Sequence, residues 1–65
     1  MSWAEAKALL ETGKRVMRPH WHWCWVERHA DGTYHLIHED EDDAEGFLPN
    51  KDERTATDWM EAPAP

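Results

Sequence analysis

Ser2-Trp3-Ala4-Glu5-Ala6-Lys7-Ala8-Leu9-Leu10 and, after a short gap, Gly13-Lys14-Arg15-Val16-Met17-Arg18 are the residues on which the fold turns. Ser2 followed by Glu5 is a capping box, in which hydroxyl and carboxylate each satisfy a backbone N–H of the first turn. Ala, Leu, Lys and Glu then run to Glu11, all strong helix formers. Trp3, Ala6, Leu9, Leu10 and Gly13 share one face at helical spacing. Gly13 suits the left-handed position that ends a helix. A helix over 3–12 is predicted, with an apolar face so small that it must pack on a sheet.

The sheet follows at once. Lys14 to Arg18 alternates, with Val16 and Arg18 on one side and Arg15 and Met17 on the other, and Pro19 stops it. Trp21 to Arg28 reads as a strand, since aromatics and Val suit a pleated surface. Asp31-Gly32 is a hairpin signal, and Thr33 to Ile37 or His38 returns. A two-residue loop would set Val26 against Ile37, Trp25 against His38 and Glu27 against Leu36. One face would then hold His22, Cys24, Val26, His35 and Ile37, the other Trp21, Trp23, Trp25, Tyr34 and Leu36. Glu39 to Glu45 is an acidic run that reads as a solvated loop. Gly46-Phe47-Leu48 suggests an edge strand, Asn50 to Thr57 a loop or single helical turn, and Asp58 to Glu61 a last short strand anchored by Trp59. The expectation is one α+β domain over 1–62, an N-terminal helix packed on a small antiparallel β-sheet of three to five strands. A disordered tail is expected at 63–65, with Ala62 and Pro63 already frayed.

The chain has 65 residues, 5 of them Trp, a single cysteine and a formal charge of −7. A domain this small has a marginal core, and one cysteine excludes an internal disulfide. Surplus tryptophan points to self-association. The acidic balance argues against nucleic acid, and no apolar run reaches the length of a membrane helix. One or two well-placed Arg would still suffice for a small phosphorylated ligand.

Catalysis is not expected: there is no glycine-rich phosphate loop and no nucleophile–base arrangement. His20-x-His22-x-Cys24 invites a zinc reading, but three consecutive alternate strand residues span roughly 13 Å end to end, too far for all three to reach one ion. No metal or cofactor is therefore expected. Trp23 and Trp25 read as core or interface. Trp21, three residues after Arg18, is the better stacking platform for a base, a contact worth about 1–3 kcal/mol. Asp58 reads equally as a turn cap or as a ligand contact.

The opening helix, Gly13-Lys14-Arg15-Val16-x-Arg18-x-x-Trp21 and the late Ala56-x-Asp58-Trp59 together resemble the phage Thoeris anti-defence type 2 family, small signal-sequestering sponge proteins. The resemblance covers residues 3–21 and 56–61. It implies a helix on an antiparallel sheet, assembled as homodimers or tetramers in the bacterial host cytoplasm. It also implies sequestration, without turnover, of a nucleotide-derived immune signal of cyclic ADP-ribose or cyclic-oligonucleotide type. Arg18, Trp21, Asp58 and Trp59 match its motif and become the ligand-binding candidates, with Arg15 reaching phosphate from a neighbouring subunit. The alternative expectation is an acidic inhibitor, DNA-mimic-like or anti-CRISPR, that binds a nucleic-acid-binding host defence protein through the acidic run.

Overall fold

The computed structural model describes residues 1–40 and 44–63. Helix α1 spans Trp3–Glu11. Its capping box is formed, with the Ser2 N–H donating to Glu5 Oε1 at 2.9 Å and the Glu5 N–H to Ser2 Oγ at 3.2 Å. At the other end Thr12 caps, and Gly13 takes φ +87°. The Gly13 N–H donates to the Leu10 carbonyl and the Lys14 N–H to the Leu9 carbonyl, both at 3.1 Å. These bonds form a Schellman motif, which turns the chain directly into the sheet.

Strands β1 (Val16–Met17), β2 (Cys24–Arg28), β3 (Tyr34–His38), β4 (Glu45–Gly46) and β5 (Met60–Glu61) form one antiparallel sheet. A short helix, α2 (Lys51–Thr55), precedes β5 and carries a second capping box between Asn50 and Glu53. The strand order is β4-β3-β2-β1-β5. The α+β expectation holds, with all five strands antiparallel. Trp3, Ala6 and Leu10 of α1 pack on Val16 and Val26, and Phe47 and Trp59 complete the buried core. No helix among the described residues is long and apolar enough to cross a membrane.

Four sequence expectations need correction. The hairpin pairs Val26 with Leu36, Trp25 with Ile37 and Glu27 with His35, one residue away from the predicted register. Its loop holds three residues, because the His29 N–H still pairs with the Thr33 carbonyl and Gly32 alone takes the left-handed conformation. Asp31 braces the loop by accepting from the Thr33 N–H and hydroxyl, and these bonds hold its carboxyl below the usual carboxylate range. A slip of one residue exchanges the faces of a strand. Tyr34 and Leu36 therefore join Val26 under α1, while His35 and Ile37 join Trp25 on the open side.

Second, Trp21, Trp23 and Trp25 do not alternate along one strand. β2 starts only at Cys24, and Trp23 has φ +61°. That rotation breaks the period of two, so the three indoles reach three different environments. Third, the edge strand does not run over Gly46-Phe47-Leu48. The strand is Glu45–Gly46, and Phe47 turns into the core while Leu48 is left 92% exposed. Fourth, Ala62 is not frayed. It is buried and its N–H donates to the Arg15 carbonyl at 2.8 Å, continuing the β1–β5 pairing. The Arg15 guanidinium donates to the Pro63 carbonyl. Residues 41–43 of the acidic run and residues 64–65 lie outside the described residues.

Candidate ligand-binding site

The four motif residues do come together, although they are far apart in the chain. Arg18 Nε donates to Asp58 Oδ1 at 2.8 Å and Nη2 to Oδ2 at 3.3 Å, a two-pronged ion pair. Trp21 sits edge-on to Trp59 with ring centroids 5.3 Å apart. Trp59 also packs on Trp3 at 4.9 Å and on Phe47 at 6.3 Å. Its indole N–H donates to the Glu53 carbonyl at 2.9 Å, which satisfies an acceptor near the end of α2.

This geometry gives the four residues unequal prospects. Trp59 is 1% exposed and has no free face for a base. Trp21 is half-buried against Phe47 and Trp59. Arg18 is committed to Asp58, so Asp58 acts as neither cap nor open contact but as the partner of the cation meant for phosphate. The cluster ties the β1–β2 connection to the segment before β5, and it reads as architecture.

The Arg18–Asp58 pair has a testable consequence. The guanidinium bonded to Asp58 holds that carboxyl below its ordinary value of 3.8. A carboxylate whose pKa is depressed on folding adds stability above its unfolded value, and the addition vanishes as pH falls through the folded value. Asp58→Asn should therefore melt below the wild type near pH 6, and the two melting temperatures should converge as pH falls below the ordinary value and through the lowered one. Because the pair is open to solvent, salt should narrow the gap too. Thermal melts across pH decide it; a gap that widens in acid would contradict the assignment.

The beginning of β1 offers different chemistry. Arg15 projects away from α1, as the alternation of β1 predicts, and its guanidinium carbon lies 4.4 Å from the Trp25 ring centroid. The Trp25 indole N–H donates to Glu27 Oε1 at 2.8 Å, which fixes the ring. A cleft of about 380 Å³ beside this pair is lined by Gly13, Lys14, Arg15, Glu27, Arg28, Glu61 and Ala62. Three of the chain's seven Lys and Arg residues thus meet at one place on a protein of charge −7. Arg28 reaches it while paired through Nε to Glu11 at 2.9 Å. A second cleft, of about 360 Å³ and mostly apolar, shares Arg15 and adds Met17, Trp23, Cys24, Trp25, Glu39, Ala62 and Pro63.

Sequence reasoning placed Arg15 on the correct side but missed Lys14 and Arg28. The signal was the β1–β2 register: with Val16 opposite Val26, residue 14 falls across from residue 28. Trp23 is 73% exposed. A bulky side chain at positive φ is an outlier that costs of order 1–3 kcal/mol and persists only where the surroundings hold it. Here the Glu39 N–H donates to the Trp23 carbonyl at 2.8 Å and holds the backbone in place.

Among the described residues no three His, Cys, Asp or Glu side chains converge as a metal site. Burial pushes the Cys24 thiol up, which keeps it protonated and weak as ligand or nucleophile. Comparison of the chain with protein-family models, curated proteins and solved structures found no match.

Proposed function

We propose that this chain is a non-catalytic binding protein that sequesters a small nucleotide-derived signal, of cyclic ADP-ribose or cyclic-oligonucleotide type. The observation that supports the reading is the meeting of Lys14, Arg15 and Arg28, three cations against the carboxylates of Glu27 and Glu61, at one cleft of an otherwise acidic chain. Phosphate oxygens match the guanidinium fork, and the adjoining Arg15–Trp25 pair offers a planar surface for a base. The site proposed is therefore this cleft in place of the Arg18–Asp58 cluster. Self-association fits the same picture, because Met17, Trp25 and Ile37 are half-buried on a sheet face that no second layer among the described residues covers. The host cytoplasm of a phage-infected bacterium is where such a sponge would act. The alternative, an acidic inhibitor of a nucleic-acid-binding defence protein, rests on a run whose centre, 41–43, lies outside the described residues.

The test is retention without turnover. Purified protein is incubated with cyclic ADP-ribose isomers and cyclic dinucleotides, desalted, then heated, and the released ligand is analysed by chromatography. Intact ligand is expected in the heat-released fraction. Arg15→Ala should weaken binding roughly 10- to 150-fold, the loss of one charge-assisted contact. Degraded ligand would make the chain an enzyme, and no retention of any ligand would end the sponge reading. Loss through Arg18→Ala with Arg15→Ala unaffected would move the site back to the four motif residues.

A further inference from the structure

Trp23 stands apart from everything the ligand reading uses. It is 73% exposed, its backbone is held at φ +61°, and it does not line the basic cleft. Two other clefts meet at its indole. On one side is the apolar groove with Met17, Trp25 and Pro63. On the other is a cleft of about 370 Å³ formed with Glu39 and Asp40. Glu39 borders both, and its backbone N–H is the group that fixes the Trp23 carbonyl. A single large aromatic, presented from a hydrogen-bonded backbone between an apolar groove and carboxylates, is the composition of a binding hot spot.

Charge selects the occupant. An anionic ligand would meet Glu39 and Asp40, whereas a Lys or Arg side chain would find the negative face of the indole and two carboxylates together. The apolar groove beside it holds Arg15 at its border, which repels a second cation there and favours an apolar side chain. We infer that Trp23, with Glu39 and Asp40 beside it, is a docking surface for an extended segment of a partner protein in which basic and apolar side chains alternate. The apolar residue enters the groove of Met17, Trp25 and Pro63 while the neighbouring cation lies over Trp23 towards the carboxylates. Trp23, Glu39 and Asp40 do not line the three-cation cleft, and the groove meets the nucleotide reading only at Arg15 and Trp25, so loss of peptide binding through Trp23 or the two carboxylates is separable from loss of nucleotide binding.

A fluorescein-labelled Arg-Leu-Arg-Leu-Arg-Leu peptide serves as the probe, titrated with the full chain and followed by anisotropy. Saturable binding is expected, weakening with salt, and a Gln-Leu counterpart should bind far less. Trp23→Gly is the informative variant, because glycine suits positive φ and the fold should tolerate it. It should raise the Kd about 10-fold or more, as loss of a central aromatic anchor does. Glu39→Gln with Asp40→Asn should do the same while leaving the indole in place, so the question stays decidable even if Trp23→Gly fails to fold. Asp52→Asn removes a carboxylate from α2 and should change the Kd by less than about twofold, as an isolated surface charge does. An unchanged Kd in Trp23→Gly, an equal loss in Asp52→Asn, equal binding of the Gln-Leu peptide or no binding at all would each overturn the inference.

Discussion

Trp59→Ala is expected to abolish the cooperative unfolding transition of this protein at ordinary temperature. Trp59 is the largest fully buried side chain and touches Trp3, Trp21 and Phe47. Truncating a buried Trp costs about 3–5 kcal/mol through lost burial and the cavity left behind. A 65-residue domain has roughly 3–10 kcal/mol in total, at the usual stability per residue. The loss also reaches beyond the cavity. The indole N–H that donates to the Glu53 carbonyl goes with the ring and leaves that acceptor at the end of α2 unpaired, while the backbone N–H of residue 59 keeps its 3.0 Å bond to the Met1 carbonyl. Far-ultraviolet circular dichroism during heating should show a broad slope in place of a sigmoid. Trp59→Phe keeps most of the burial but strands the Glu53 acceptor, at a cost of about 1–3 kcal/mol. A sharp, near-wild-type melt for Trp59→Ala would mean that the aromatic cluster is not the centre of the core.

Local chemistry made the helix readable. Ser2 with Glu5 and Gly13 with the residues around it are short-range signals, and both ends of α1 follow from groups within one turn. The fold class followed from the same stretch, because a small apolar face demanded a sheet and the next residues alternated. The hairpin was legible as a hairpin but not in its register. Asp31-Gly32 is compatible with a two-residue loop and with a three-residue loop whose last position is left-handed, and the choice rests on whether His29 still pairs with Thr33.

What failed was whatever depended on residues distant in the chain. Trp21, Trp23 and Trp25 look periodic, yet Trp23 is turned out by a backbone conformation that no side-chain pattern encodes. Arg18 looked available for phosphate because Asp58, forty positions later, is invisible to local reading. The fold brings the two together as an ion pair. Lys14 and Arg28 were overlooked for the converse reason: only strand pairing makes them neighbours. The candidate site therefore shifted from the Arg18–Asp58 pair to the cleft at the other end of β1, where Arg15 of the open face meets Lys14 and Arg28 of the helix side, while the kind of group it requires, cation beside aromatic, stayed the same.

The two leucines Leu10 and Leu48 should respond oppositely to the same substitution. Leu10 is wholly buried, on the face of α1 that meets Val16 and Val26, with Trp3 and Ala6 above it in the helix. Leu10→Ala leaves a cavity between helix and sheet, where β1 and β2 are hydrogen-bonded and cannot close over the gap. It should cost about 2–5 kcal/mol, a large share of the whole. Leu48 is 92% exposed just after the edge strand, and Leu48→Ala should stay within about 0.5 kcal/mol of wild type. Urea titrations at constant slope measure both, since a shifted midpoint with an unchanged slope is a stability change alone. Comparable losses in the two variants would place a covering layer over Leu48, and self-association would be its first explanation. A concentration-dependent midpoint in Leu48→Ala would then separate an interface between copies from a misassigned edge.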